Sequence, residues 1–227
     1  MSIVTTHIAN NAVRVSVIIP VFNHGQELAQ CLVSIKNQAF QNFEIIIIDD
    51  GSDEPIGDVA GARVIRQENK GAPAARNRGF KESSGQYVLF CDADVVMRTD
   101  MLAKMSAVLD ENPGVSYAYS SFKFGFKKFK LWEFDADKLR EMPYIHTTSL
   151  MRREHFPGFD ESLKRLQDWD LWLTMLEQGH VGKWIDETLF SVKSGGTMSR
   201  WRPSFFVGRD KAYQDAVLQV KRKHHLT

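Results

Sequence analysis

The sequence predicts an α/β fold: a single domain on a mostly parallel, doubly wound sheet flanked by helices, with a C-terminal helical extension. Three observations carry this. Short runs dense in Val, Ile and Phe recur through the first half, amphipathic helical patterns separate them, and each run closes on polar residues. Continuous apolar runs of that length are strands buried on both faces. Alternation with helices makes them βαβ units. Ligands of such sheets bind beyond the carboxyl ends of the strands.

The first strand is read in "VRVSVIIPVFN", which ends on Asn23. "GQELAQCLVSIKNQ" then places Leu28, Cys31, Leu32 and Ile35 on one helical face. "NFEIIIIDD" is the second strand and delivers Asp49 and Asp50. "GAPAARNRGFKESSG" reads as a helix opening near a proline and stopping at Gly85 as its C′ residue. "QYVLFCDAD" is the third strand and ends in Asp92 and Asp94. "TDMLAKMSAVLDENPG" reads as a helix capped by Thr99 or Asp100 and ending before Pro113. The second half is less regular. "VSYAYSSFKFGFKKFKLW" alternates aromatic and basic residues, "YIHTTSLMRREHF" is a short strand and turn, and "DWDLWLTMLEQG" is a helix ending at Gly179. "VGKWIDETLFSV" is a strand, and the tail from Arg202 reads as an amphipathic helix with a basic end.

Composition narrows the function. The 227 residues are 43% hydrophobic and 25% charged, ordinary for a globular domain. A net charge of +1 supplies no global field for nucleic acid, and none is expected as a partner. The two cysteines, Cys31 and Cys91, read as buried thiols in a reducing compartment. "MSIVTTHIANNAVR" lacks the apolar core of a signal peptide, and no apolar run approaches the roughly 20 residues of a spanning helix. A cytoplasmic protein is expected, with peripheral contact at the inner membrane surface left open.

The strand ends carry the chemistry. Asp92 and Asp94 sit at i and i+2, and in extended chain such side chains point the same way, a two-oxygen edge for Mg²⁺ or Mn²⁺. Alone they read more readily as two solvated loop acids. Asp49 or Asp50 could accept from a base N–H or ribose hydroxyl. A G-x-G-x-x-G is missing after the first strand, which argues against NAD. Arg76 and Arg78 bring positive charge near a helix N-terminus, or simply line a surface helix. In "RLQDWDLWLTML", Asp168 is a candidate general base or a helix cap.

Taken in order, "VSVIIPVFN", "NQAFQNFEIIIIDDGS", "NKGAPAARNRG", "GQYVLFCDADVVM" and "FDESLKRLQDWDLWLTML" resemble the family 2 glycosyltransferases with the GT-A fold, over about residues 15–200. The resemblance implies an inverting enzyme that moves a sugar from a nucleoside-diphosphate sugar, by family habit a UDP-sugar, to an acceptor hydroxyl. The acceptor would be a glycan or lipid-linked, in bacterial surface polysaccharide synthesis. Residues 1–200 would form the domain, with a nucleotide-binding half at about 14–98 and an acceptor half at about 115–200, and 201–227 the helical tail. Pro20, Val21, Phe22 and Asn23 would line the donor pocket, Asp49 and Asp50 contact the base, and Arg76 sit by base and ribose. Asp92 and Asp94 would hold a divalent metal, Asp94 the more directly, and Asp168 would be the general base.

Two positions depart from the family pattern. Gln167 stands where a Glu usually precedes the base, which should lower the pKa of Asp168 relative to the usual pair. Lys193 stands about where a loop His falls, and is expected to touch the leaving diphosphate as a point charge. "FKFGFKKFK" matches nothing in the pattern. It reads as a strand with one basic face, either solvated or facing an anionic membrane, where each lysine contributes about 1 kcal/mol. His146 falls in the acceptor half. Other readings of the D-x-D are a phosphatase of the haloacid dehalogenase type, in which the first Asp is a nucleophile, and a sugar-nucleotide-binding module without catalysis. A phosphoreceiver fits poorly, because a complete strand and helix precede the acidic strand.

Overall fold

The computed structural model describes residues 13–193 and 211–226. The signal-peptide reading falls mostly on residues 1–12, which lie outside the described residues, as do 194–210 of the loop and tail.

Strand β1 (Val15–Val21) is followed by α1 (Gly25–Lys36), β2 (Phe43–Asp49) and the short edge strand β3 (Arg63–Arg66). Then come α2 (Ala72–Glu82), β4 (Tyr87–Phe90), β5 (Val95–Met97) and α3 (Met101–Glu111). The second half holds β6 (Tyr117–Phe124), β7 (Lys127–Phe129), α4 (Ala136–Glu141) and β8 (Leu150–Arg152). It ends in α5 (Gln167–Glu177), β9 (Gly182–Val192) and α6 (Lys211–Lys223). One nine-stranded sheet runs β3-β2-β1-β4-β8-β6-β9-β5, with β7 on β6. β3, β2, β1 and β4 are parallel, and β6 and β9 run the same way. β8, β7 and β5 run against them. The sheet is therefore mostly parallel by strand direction, as the sequence predicts, with the antiparallel strands all following β4 in the chain.

Each sheet face has its own core. Val15, Val17, Ile19 and Val21 of β1 pack with Leu28, Cys31 and Ile35 of α1 and Met101, Met105 and Leu109 of α3. Ile18 faces the opposite side, with Phe90 of β4 and Trp169 and Trp172 of α5. Period-2 alternation on strands covered by helices on both faces thus divides one chain between two cores. α2 lies very close on the sheet at Gly79: a Cβ there would stand 2.3 Å from Ile18 Cγ2 and 3.3 Å from Ile48 Cγ1.

Some local readings change. Gly85 does not end α2, which stops at Glu82; it lets the chain pass against β1, where a Cβ would meet Ser16 N at 2.6 Å. Asp100 stands at the N-cap of α3, but its carboxylate bonds Arg98 instead of capping. "FKFGFKKFK" is not one strand. It folds back at Gly125 and Phe126, with Gly125 at φ 54°, into the β6–β7 hairpin. Cys31 and Cys91 are buried free thiols 3.5 Å apart, as read. Among the described residues no helix is long and apolar enough to cross a membrane.

Candidate active site

β1, β2 and β4 end at a common edge, where Asp50 N–H donates to Val21 O (2.8 Å) and Cys91 N–H to Ile18 O (2.9 Å). The loops leaving β1 and β2 are laced together. Asn23 N–H donates to Ser52 Oγ (3.0 Å), Asn23 Nδ2 to Asp53 Oδ2 (2.9 Å), and Asp53 N–H returns to Asn23 Oδ1 (2.8 Å). Val21 is buried, Pro20 half-buried, and the Phe22 ring lies 43% exposed at the edge.

The two acids ending β2 are occupied by the chain itself. Asp49 accepts from Ser52 N–H (2.9 Å), Ile56 N–H (3.2 Å) and Arg66 Nη1 (2.7 Å). Burial opposes its ionisation, but these donors together hold its carboxyl below the usual range. Asp50 accepts from Gln67 Nε2 (2.7 Å), Lys70 N–H (3.0 Å) and Gly71 N–H (2.8 Å), which fixes the entry to α2.

The pair after β4 differs. Its backbone is not extended: Val95 N–H donates to Asp92 O (3.0 Å) and closes a turn, so the argument from i, i+2 in a strand does not apply. The two carboxylates are unequal. Burial disfavours the charge on Asp92, but Arg76 Nη2 at 2.7 Å and the nearby His146 outweigh it and lower its pKa. Burial and then the charge of Asp92 push the Asp94 carboxyl up to about 6, with His24 opposing and Glu27 adding to the rise. Lys193 N–H donates to Asp94 O (3.0 Å), which brings the end of β9 onto this turn.

Arg76 is 4% exposed and spans the sheet edge. One arm meets Asp92, the other donates from Nη1 to Gln167 Oε1 (3.0 Å), and the guanidinium lies over the Phe159 ring at 5.2 Å. Gln167 Nε2 in turn donates to Leu163 O (3.0 Å). The α5 entry is therefore tied to the β4 end, and Asp168 is delivered beside them. Burial raises the Asp168 pKa, opposed by His146, by Trp169 N–H donating to Oδ1 (2.9 Å), and by Arg76. So burial, more than the missing neighbouring charge at Gln167, governs this carboxylate. His146 completes the cluster. Its Nδ1 accepts from Thr148 N–H (3.0 Å), its ring packs on Phe122 and Phe190, and burial lowers its pKa against the pull of Asp92 and Asp168.

Sequence reading passed over His24, Glu27 and Tyr213. His24 and Glu27 leave β1 as an i, i+3 pair 3.4 Å apart, a spacing visible in the sequence. Tyr213 has no local signal: it stands on α6, where burial and then the charge of Asp168 raise its pKa. A cavity of about 300 Å³ lies away from the strand ends, between the 157–160 turn, α5 and the end of α6, and is lined by Asp160, Asp170, Glu177, Lys223 and His224.

Known proteins share this architecture. Residues of Staphylococcus aureus TarS in complex with UDP-GlcNAc superpose with a TM-score of 0.72 at 18% identity, over 92% of this chain and 66% of that one. The mannosyltransferase PcManGT from Pyrobaculum calidifontis, in complex with GDP-Man and Mn²⁺, gives 0.66 at 18% identity, over 92% and 64%. Both show the GT-A fold. An uncharacterized glycosyltransferase of Rickettsia felis is 29% identical over 84% of this chain, and GlyG of Streptococcus pneumoniae is 35% identical over 43%. The chain spans 35% of the length of each of these two relatives. The family model described as "Glycosyl transferase family 2" matches residues 16–164, from β1 through the turn that presents Phe159 to Arg76, and the chain belongs to that family.

Proposed function

We propose that this chain is the donor-binding and catalytic part of an inverting glycosyltransferase. It moves a sugar from a nucleoside-diphosphate sugar, a UDP-sugar, to a hydroxyl of a glycan or lipid-linked acceptor. The setting is bacterial surface polysaccharide synthesis on the cytoplasmic side of the inner membrane. Residues 14–98 form the donor half and 115–200 the acceptor half. The observation that carries this reading is the meeting of Asp92, Asp94, Asp168, Arg76 and His146 at the carboxyl edge of a parallel sheet, beside the exposed Phe22 ring. The relatives solved with UDP-GlcNAc and with GDP-Man favour a nucleotide-sugar donor.

In this scheme Phe22 stacks on the base, with Pro20, Val21 and Asn23 shaping its pocket. Asp49 and Asp50 act by fixing the loops that floor it, since their oxygens already accept from the chain. Arg76 acts through Asp92 and Gln167 rather than on the ribose. Among the described residues no group of three or more His, Cys, Asp or Glu could hold a metal ion. Two adjacent carboxylates, one of them with its pKa pushed up to about 6 by burial and then by the charge of the other, do fit a Mg²⁺ or Mn²⁺ beside a diphosphate. Asp94, with Asp92, would hold that ion, whose charge would offset the negative charge on the departing diphosphate. Lys193 adds a point charge there. The acceptor oxygen attacks the anomeric carbon opposite the leaving group, the bond to the diphosphate oxygen breaks, and the proton passes to Asp168 Oδ2, the oxygen not engaged by Trp169 N–H. A single displacement with one base inverts the anomeric centre.

Thermal melting with a panel of nucleoside diphosphates, with and without Mn²⁺, tests the donor reading. UDP with Mn²⁺ should raise the melting temperature more than either alone, and no shift with any diphosphate sinks it. Asp168→Asn should bind donor normally and lose transfer by about 10²–10⁴-fold; full transfer in that variant would move the base elsewhere.

A further inference from the structure

The proposed transfer reaction does not use the β6–β7 hairpin. At its tip Phe126 is 107% exposed, the most exposed large apolar side chain among the described residues. Lys123, Lys127 and Lys128 surround it and are exposed. Lys123 and Lys128 stand directly opposite each other across the ladder, and like charges in that position destabilise a sheet. Nearby Lys130 and Lys183 are matched by Asp186 (3.5 Å) and Glu133 (3.7 Å), and Lys127 Nζ lies over the Phe129 ring at 4.9 Å. The base of the finger is packed on aromatic rings. Phe122 stacks on Phe129 (5.0 Å) and on Phe190 (5.3 Å), and His146 packs on Phe122 and Phe190. Gly125 N–H donates to Val192 O (2.9 Å), one residue before Lys193 reaches the Asp94 turn.

We propose that this hairpin docks the domain on an anionic lipid bilayer, Phe126 entering the interface and Lys123, Lys127 and Lys128 meeting the headgroups. This rests on the lipid-linked acceptor and inner-membrane setting of the proposed function and names the element that makes the contact. A bilayer fits better than a soluble polyanion because a polymer needs only the lysines, whereas an exposed aromatic at the tip of a basic finger is stabilised by entering an acyl boundary. The finger is anchored on β9 beside the catalytic edge, so docking would bring a lipid-linked acceptor to His146 and Asp168.

Co-sedimentation with phosphatidylcholine vesicles, with and without phosphatidylglycerol, tests this in the absence of donor and acceptor. The result is therefore independent of the transfer reaction. The chain should pellet with the anionic vesicles alone. K127E/K128E should weaken the partition at least about 25-fold, about fivefold for each lysine lost. F126S should weaken it about tenfold. Unchanged melting temperature and UDP binding in both variants would show that the fold is kept. Failure of the native chain to pellet, or variants that partition like it, overturns the proposal. Binding to vesicles or heparin that needs the lysines but ignores F126S also overturns it, in favour of an acidic polymer.

Discussion

The ends of β2 and β4 look alike in sequence and differ in the structure. Each is an apolar run closing on two aspartates. At β2, Asp49 is fully buried and Asp50 3% exposed, and backbone N–H groups, Arg66 and Gln67 donate to them. At β4, Asp92 is held by one arginine, and Asp94 is left with its pKa pushed up to about 6. Acids supplied with donors by their own chain hold loops in place. An acid whose ionisation is opposed by burial and by a neighbouring carboxylate, as at Asp94, is placed to meet a ligand. What separates the two pairs is who donates to them, and that is not written in the residues.

Substituting one acid of each pair separates the two roles. Asp94→Asn should cost on the order of 10²–10³ in turnover and abolish the Mn²⁺-dependent part of UDP binding, with the melting temperature unchanged or raised, because a desolvated charge is removed. Asp49→Ala should do the reverse. It strands two backbone N–H groups and Arg66, and should destabilise by about 2–5 kcal/mol in urea unfolding, while the folded enzyme keeps the Mn²⁺-dependent part of UDP binding and loses donor affinity only through the loosened loops under the base. If both variants lose stability and activity together, the two acid pairs are not distinct in kind.

A smaller effect sharpens the arginine bridge. Gln167→Glu would set a second carboxylate on Arg76, competing with Asp92 and placing negative charge beside Asp168. Both changes raise the Asp168 pKa further, so the acidic limb of the transfer pH profile should move up, with kcat at its plateau within a fewfold of native. An unmoved limb would show that Arg76 does not link the two carboxylates electrostatically.

The legible parts of the molecule are those where one residue type in one period fixes the outcome. β1, β2 and β4 are continuous apolar runs, and α1 and α3 carry a stripe every three or four residues. β3, β5 and β7, of three or four residues, are too short to show a period, and they form because a neighbouring edge is waiting. The chain reversal at Gly125 was hidden by the Phe and Lys alternation around it. At the site, the strand-end acids and Asp168 were visible, but the unequal charge of Asp92 and Asp94 depends on Arg76, which lies far from both in sequence. Tyr213 stands on a helix that ion pairs and an apolar face both join to α5.

Those ion pairs give the smallest predicted effect. His224 is buried between two carboxylates, Nε2 on Asp170 Oδ1 (2.9 Å) and Nδ1 on Glu177 Oε1 (2.8 Å), while Lys223 Nζ joins Asp160 and Asp170 at 2.7 Å each. With an acid at each ring nitrogen, the imidazolium is the form that satisfies both bonds. Burial alone would lower the His224 pKa, but Asp170 and Glu177 outweigh it and raise it above 6.5. The folded state then holds the proton more tightly than the unfolded one. Its contribution is complete below about 6.5 and lost as the pH rises through the raised value, so stability falls toward alkaline pH. His224→Gln should remove that slope, leaving the variant less stable than the native chain at pH 6 and close to it at pH 9, by thermal melting at matched salt. Parallel curves across that range would mean that α6 is held on α5 by its apolar face, through Ala216 and Val220, rather than by this charge.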